Sequence, residues 1–448
     1  MKINSFLLRC TLVAALGGFL FGFETAVISG AEKTIQQLWS LSDFWLGFTV
    51  AASLIGTVIG SMIAGRPAQV HGRKKILLVI AIMYLLSALG CSLTPNWLLF
   101  VIFRIIGGIA VGASSVVGPM YISEISPAPV RGRLTGMFQL NIVIGILVAF
   151  LTNFLFHQIG AGSWRWMVGI MVVPAGLFAI LLRIIPESPR WLILNNRDVE
   201  AAEIFSRTGE PDGSSVIKDE HALLHHGGSL RAGSTEESLF TRKYSKPILY
   251  AVLLAMFNQL SGINAILYYA PRIFEMAGFS KEASFLQPVY VGLANLIFTF
   301  VGMSIIDKVG RKTLLIVGAT GMFVFLALTA SAFHSMGSGN HFVIVYLVCF
   351  IAFFAMSQGA VIWVFISEIF PNSVRSQGSS LGSFTHWIMA AIIAWTFPIF
   401  VHGSANGGFY SFIFFSVMVL VSMIFIWRVM PETKGRTLEQ IQKDLGIL

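Results

Sequence analysis

The chain has 448 residues, 56% of them hydrophobic and 11% charged, with 43 Gly and 38 Phe. A soluble domain carries roughly 25% charged residues, so an ordinary cytosolic enzyme is excluded, and a mean hydropathy of +0.79 describes a chain solvated by lipid. Three cysteines, Cys10, Cys91 and Cys349, lie in or beside apolar runs; they exclude a disulfide scaffold and read as inert packing.

Apolar runs long enough to cross about 30 Å of hydrocarbon fall at 7–28, 46–64, 76–93, 97–118, 136–156, 164–185, 248–270, 286–306, 313–333, 342–367, 379–401 and 409–430. The first run carries Glu24 and lacks a small-residue cleavage site, so it is read as a retained helix and not a signal peptide. Gly56 and Gly60 in the second run, and Gly108 and Gly112 in the fourth, have the spacing of close helix packing. Between the sixth and seventh runs lies a hydrophilic segment, 186–246, rich in Pro, Gly and Ser and holding His221, His225 and His226. With no Cys or carboxylate framework around those histidines, a solvated linker is a better reading than a metal site. The expected fold class is an all-α membrane protein of twelve transmembrane helices, with an N-terminal half at 1–185, a cytoplasmic linker at 186–246 and a C-terminal half at 247–448. Nothing in the chain calls for a cofactor.

The net charge of +9 would suit nucleic acid only if it were gathered on one surface. With both termini on one side, 25 of the Lys and Arg residues fall on that side and four on the other, Lys33, Arg165, Arg272 and Lys281, while Arg104 stays inside the fourth run. This is the positive-inside pattern. It puts both termini in the cytoplasm of a cell (inner) membrane protein, with lipid and not nucleic acid as the partner.

Two segments repeat. Tyr121-Ile-Ser-Glu124-Ile-Ser-Pro-Ala-Pro-Val-Arg131 follows the fourth run and Phe365-Ile-Ser-Glu368-Ile-Phe-Pro-Asn-Ser-Val-Arg375 the tenth; Gln69-Val-His-Gly72-Arg73-Lys74 precedes the third and Asp307-Lys-Val-Gly310-Arg311-Lys312 the ninth. Matching positions in both halves imply a duplicated six-helix unit. Glu124 with Arg131, Glu368 with Arg375, and Arg73, Arg311 and Asp307 beside them either tie helix ends into a gate that opens in one state or serve only as topogenic charges.

A carboxylate within hydrocarbon is a functional-site hypothesis by default. Glu24 and Arg104 are natural partners, either as a coupling pair or as a structural ion pair. Neutral hydrogen-bond donors and acceptors beside aromatic rings suit a polar ligand that also has apolar faces. The seventh run supplies Asn258, Gln259, Asn264 and Tyr268 around Gly262, which can interrupt the helix where backbone lines a cavity.

The stretch Ile106-x-Gly108-Ile109-x-x-Gly112, then Tyr121-x-x-Glu124 and Arg131, resembles the sugar porter signature of the major facilitator superfamily, as do Pro186-Glu-Ser-Pro-Arg-Trp191 and Pro431-Glu-Thr-Lys-Gly-Arg436. The resemblance covers essentially the whole chain. It implies an alternating-access monosaccharide transporter, sufficient as a monomer. Proton-coupled members have Asp where Glu24 stands and Arg where Arg104 stands, so a proton symporter is implied, the alternatives being a facilitative uniporter or a nontransporting sugar sensor. Gln259 and Asn264 match the family's sugar-binding Gln and Asn, and Asn258 replaces a Gln. Phe21, Gln139, Asn295, Gly359, Trp363 and Trp387 match further sugar contacts. His386 stands where Gln or Asn is usual, either as a replacement hydrogen-bonding group or as a second titratable group. Gln69 replaces an acid, which implies a looser first-half gate, and Ala360 replaces a Pro, which implies a straighter tenth span.

Overall fold

A computed structural model of the protein describes residues 3–160, 162–209, 217–218, 238–334, 342–371, 373–436, 438–445 and 447. His221, His225 and His226 lie outside the described residues. Among those described, twelve helices are long and apolar enough to span a bilayer: Ser5–Leu38, Asp43–Ile63, Arg73–Leu93, Trp97–Ile125, Arg131–Ile159 and Ser163–Leu181, then Arg242–Tyr268, Lys281–Val309, Arg311–His334, Phe342–Ile366, Arg375–His402 and Gly407–Val429. They are called spans one to twelve below. The chain is therefore an all-α multi-pass membrane protein.

Helices are the only open-ended way to satisfy every backbone polar group in lipid, and the starts of several are fixed by short polar side chains. Asn4 Oδ1 accepts from Leu7 N at 2.8 Å to open span one, Asn96 Oδ1 from Leu99 N at 3.2 Å to open span four, and Ser280 Oγ from Ala283 N at 3.3 Å to open span eight. Large apolar side chains such as Val79, Ile82 and Leu86 on span three stay on the outside of the bundle, where lipid takes the place of a core.

Within the first half, span one packs on span five and span two on span four; in the second, span nine packs on span twelve and span seven on span eleven. The halves meet where span two lies along span eleven and span five along span eight. Spans two and four touch backbone to backbone. A Cβ on Gly108 would sit 1.9 Å from Ser53 O, and one on Gly56 2.3 Å from Ile105 O, which is the close approach expected of these glycines.

Two spans are broken where a cavity runs beside them. Span seven stops at Leu260 and restarts at Ile263, because Gly262 holds φ +81 with its Cα against the Phe415 ring. Span ten divides into Phe342–Met356 and Gln358–Glu368 at Ser357, whose φ of −116 and ψ of −88 are not helical. The straighter tenth span expected from Ala360 is thus not found. The interruption lies three residues earlier, where Ser357 Oγ bonds Phe353 O at 2.6 Å.

Between the halves, Ser188 Oγ caps a short helix, Pro189–Leu194, and a second helix, Asp198–Thr208, follows. Asn4 Nδ2 donates to Arg207 O at 2.8 Å, so this segment lies against the start of span one and marks the face that carries the termini.

The contact between spans two and four gives a direct expectation. Gly108→Leu forces the two helices apart and lowers the thermal unfolding midpoint, at a cost of about 1–3 kcal/mol, whereas Gly132→Ala, with open space around its Cα, leaves it within about 1 kcal/mol. Equal midpoints for the two purified variants would contradict the packing.

Candidate transport site

Each half builds the same polar network at the terminus-bearing face. In the first, Arg73 Nε and Nη2 both donate to Glu124 at 2.8 Å, and Ser188 Oγ donates to Glu124 Oε2 at 2.5 Å. Glu187 accepts from the backbone N–H groups of Arg73, Lys74 and Ser188 at 2.8–3.2 Å. In the second, Arg311 Nη2 donates to Glu368 at 2.9 Å, Thr433 Oγ1 donates to Glu368 Oε2 at 2.5 Å, and Glu432 accepts from the backbone N–H groups of Arg311, Lys312, Thr433 and Lys434 at 2.9–3.0 Å. Gly72 and Gly310, at φ +94 and +102, are required twice over, because a Cβ would meet the Glu187 or Glu432 carboxylate at 2.3 or 2.7 Å. The first network joins spans three and four to the start of the linker, and the second joins span nine to the end of span ten and the turn after span twelve.

Three expectations change here. Arg131 and Arg375 do not bond the glutamates seven residues before them. Their Nε atoms donate instead to Ser126 O and Phe370 O, each at 3.3 Å, at the ends of spans four and ten, where free carbonyls attract a cation. Nor is the first-half tie the looser for having Gln69. Its Arg73–Glu124 pair is bidentate and has side chains 6% and 11% exposed, against 12% and 25% for Arg311–Glu368. Asp307, the acid that Gln69 lacks, reaches Arg311 at 3.0 Å but is 82% exposed, so the exchange removes a solvent-screened contact.

A cavity of about 1680 Å³ separates the halves. Its mouth carries Arg131, Asp307 and Arg311 of the terminus-bearing face, and its inner end reaches Phe21, Gln139, Asn258, Gln259, Asn264, Tyr268, Asn295, Gly359, Trp363, His386 and Trp387, every residue expected at a sugar site. The amides are ordered in a chain. Asn264 Nδ2 donates to Gln259 Oε1 at 2.7 Å, and Gln259 Nε2 donates to Asn258 Oδ1 at 2.9 Å and lies 3.0 Å from His386 Nε2. A Gln N–H facing a ring nitrogen makes His386 the acceptor, the part an amide oxygen would play. Asn258 Nδ2 is buried without a partner among the described residues, and Asn295 Oδ1 holds Thr299 at 3.4 Å. Aromatic rings border this polar floor: Trp363 and Trp387 each lie 4.8 Å from the His386 ring, and Phe21 lies 5.5 Å from Trp387.

Glu24 does not line the cavity. It is 3% exposed within the first half, paired with Arg104, which is 1% exposed, and within 3.5 Å of Ser53 Oγ. Its neighbour Thr25 reaches the cavity wall, so the pair lies one residue behind the lining and away from lipid.

The opposite face is closed by contacts across the halves that the sequence reading missed. Arg272 Nε donates to Glu32 Oε1 at 2.8 Å and its Nη2 to Gln36 Oε1 at 2.7 Å; both charged residues are buried. Lys33 pairs with Glu275, Asp43 Oδ1 bonds His402 Nδ1 at 2.8 Å, and Trp395 Nε1 donates to Phe44 O at 3.1 Å. The backbone of Gly47 lies on that of Trp395, with 1.9 Å left for a Cβ. Glu32 and Arg272 lie just past the first and seventh apolar runs, and only Arg272 was noted, as a charge of the far side; a carboxylate eight residues past Glu24 was an available signal.

Two six-span halves around a central cavity, closed on one face and open on the other, define a secondary transporter with alternating access. The chain matches the family model described as sugar (and other) transporter over residues 10–445, and it belongs to that family. It is 34% identical over 444 residues to the arabinose-proton symporter of Bacillus subtilis, covering 98% of this chain and 95% of that protein, and 34% identical over 477 residues to the D-xylose-proton symporter of Escherichia coli, covering 98% and 96%. The inward-open structure of the xylose transporter XylE from E. coli superposes with a TM-score of 0.86 at 33% identity over 98% of this chain and 99% of that one.

The Glu432 carboxylate offers a pH test of the network. Burial pushes its pKa up, but backbone hydrogen bonds from Lys434, Arg311, Lys312 and Thr433 outweigh this and hold it below the usual carboxylate range. A depressed pKa stabilises the fold above the unfolded value of about 4.3 and loses that contribution as pH falls through the folded value. The melting midpoint of the wild type is expected to drop below pH 4 more steeply than that of Glu432→Gln, which starts lower; parallel curves would remove Glu432 from the network.

Proposed function

We propose that the chain takes up a monosaccharide together with a proton, as a monomer in the cell inner membrane, with both termini and the 186–246 linker in the cytoplasm. The halves are then 1–185 and 247–448, and the protein is a carrier with no enzyme activity. The observation that carries this reading is the pairing of two sites: a mid-depth cavity floored by linked amides and bordered by tryptophans, and a buried carboxylate–guanidinium pair one residue behind its wall.

The cavity opens on the terminus-bearing face, so the state described is inward-open. Sugar hydroxyls are met by Gln139, Asn258, Gln259, Asn264, Tyr268 and Asn295, with His386 holding Gln259 in place, while Phe21, Trp363 and Trp387 cover apolar C–H faces. Gly359 leaves room beside Trp363. In this state Glu24 is ionised and held by Arg104, since an unpaired carboxylate in such a site costs several kcal/mol. Facing outward, it accepts a proton and releases Arg104. The protonated, sugar-loaded carrier rocks inward, and the pair re-forms as the proton leaves. Because the unprotonated, unpaired form is costly, sugar and proton move together. Across about 150 mV one proton supplies roughly 3.5 kcal/mol, enough for about 300-fold accumulation.

Rocking must also separate Glu32 from Arg272, which makes that pair the latch of the outer face. The twin networks at Glu124 and Glu368 act differently: they hold the helix ends within each half so that the halves move as units.

Two measurements test the scheme. In proteoliposomes with an imposed pH gradient and a panel of labelled monosaccharides, the wild type accumulates its sugar; Glu24→Gln is expected to lose accumulation and keep sugar counterflow, whereas retained accumulation would leave only a passive carrier. For the latch, Arg272→Ala is expected to raise outer-face labelling of Tyr269→Cys, a buried position beside Glu32 and Arg272, by about tenfold or more, and the swap Glu32→Arg/Arg272→Glu to restore the level seen without Arg272→Ala. Labelling unchanged in Arg272→Ala would show that the pair does not set the equilibrium.

A further inference from the structure

A second cavity, of about 310 Å³, lies outside the transport path on the terminus-bearing face of the first half. It is formed by the start of span three, the end of span six and the helices that follow. Lys74, Lys75, Arg183 and Arg197 line it together with His71, against one carboxylate, Glu187. That carboxylate is already occupied by the backbone N–H groups of Arg73, Lys74 and Ser188, and Arg197 is shared with Glu200. Lys74 Nζ donates to Arg183 O at 3.1 Å and so ties span three to span six. Lys75 and Arg183 are exposed. The floor is apolar, made of Leu78, Leu182 and Trp191.

The surroundings say what such a cavity faces. Span three continues into the bilayer with Val79, Ile82 and Leu86 exposed at 50%, 45% and 50%, and span six runs beside it with Leu177, Ile180 and Ile184 exposed at 48%, 63% and 60%. A basic recess therefore opens at the membrane boundary directly onto two lipid-facing helix surfaces. Basic pockets between helices on the cytoplasmic side suit phosphate headgroups, each cation near the surface contributing about 1 kcal/mol.

We propose that this cavity binds the headgroup of an anionic phospholipid, with Lys75 and Arg183 on its phosphate and the acyl chains along spans three and six. A headgroup seated there joins span three, span six and the following helix beside Glu187, and so braces the network that holds Arg73.

The test uses the full-length protein in detergent micelles, with retained lipid read by native mass spectrometry. Wild type is expected to retain phosphatidylglycerol in preference to phosphatidylcholine, with retention falling as salt is raised. Lys75→Ala/Arg183→Ala is expected to retain it about 30-fold less, while Arg242→Ala/Lys246→Ala, which removes two exposed cations at the same face of the other half, retains it as the wild type does. Equal retention of the two lipids, equal retention by Lys75→Ala/Arg183→Ala and wild type, or an equal loss in both double variants, would overturn the proposal. Full displacement of the lipid by inorganic phosphate at the same concentration would also overturn it, since the cavity would then be a free-phosphate site.

Discussion

An ionised carboxylate inside a helix bundle needs a cation or a proton, and this one requirement organises the molecule. Glu24 is buried in the first half; Arg104 is the cation paired with it, and Ser53 Oγ is a neutral donor within 3.5 Å. The pair takes both charges out of water, a cost of several kcal/mol per ion before their attraction is counted. A buried pair is therefore weak evidence for stability, and in the proposed cycle protonation of the acid is what frees it from the guanidinium. Thr25, the next residue, lies in the cavity wall, which places the pair close to the cavity.

The two broken spans bring amides and a tryptophan to the same cavity. Gly262 holds the positive-φ turn beside Gln259 and Asn264, Ser357 the break before Trp363, and both groups meet at His386 in the cavity lining. Neither break is driven by proline. In span seven the Phe415 ring fills the space a Cβ would need, and in span ten Ser357 satisfies its hydroxyl on the preceding turn, leaving the chain free to change direction.

The architecture was legible in the sequence because lipid imposes length and composition on every span, and because the unit occurs twice. The cavity-lining residues came by two routes: the polar side chains of the seventh run stand out against its apolar residues, whereas Phe21, Gln139, Asn295, Gly359, Trp363, His386 and Trp387 were named by the resemblance to sugar porters, and all eleven line the same cavity. Pairing between helix ends was less legible. Spacing along the chain tied Arg131 to Glu124, but helix geometry turned Arg131 back to the Ser126 carbonyl and brought Arg73, fifty-one residues away, to the glutamate. The Pro-Glu-Ser and Pro-Glu-Thr turns hold a carboxylate on backbone N–H groups, and backbone partners leave no trace in a pattern of side chains. The outer closure was hidden for a similar reason, since it exists only where the two halves meet.

That closure differs in kind from the twin networks. Duplication copies a contact made inside the unit, and Arg73–Glu124–Ser188 accordingly returns as Arg311–Glu368–Thr433. A contact between two copies cannot be copied in this way. Near a pseudo-twofold axis equivalent positions face one another, and identical charges there would repel. Spans one and seven are equivalent members of the two halves, and the end of span one meets the helix that follows span seven, Ala270–Met276, through Glu32 and Arg272 and again through Lys33 and Glu275. Each pair has taken opposite signs on the two sides, and the order of signs reverses between them. The halves could therefore become an attractive latch only by diverging at this face, while the opposite face, where neither network reaches into the other half, was left free to open.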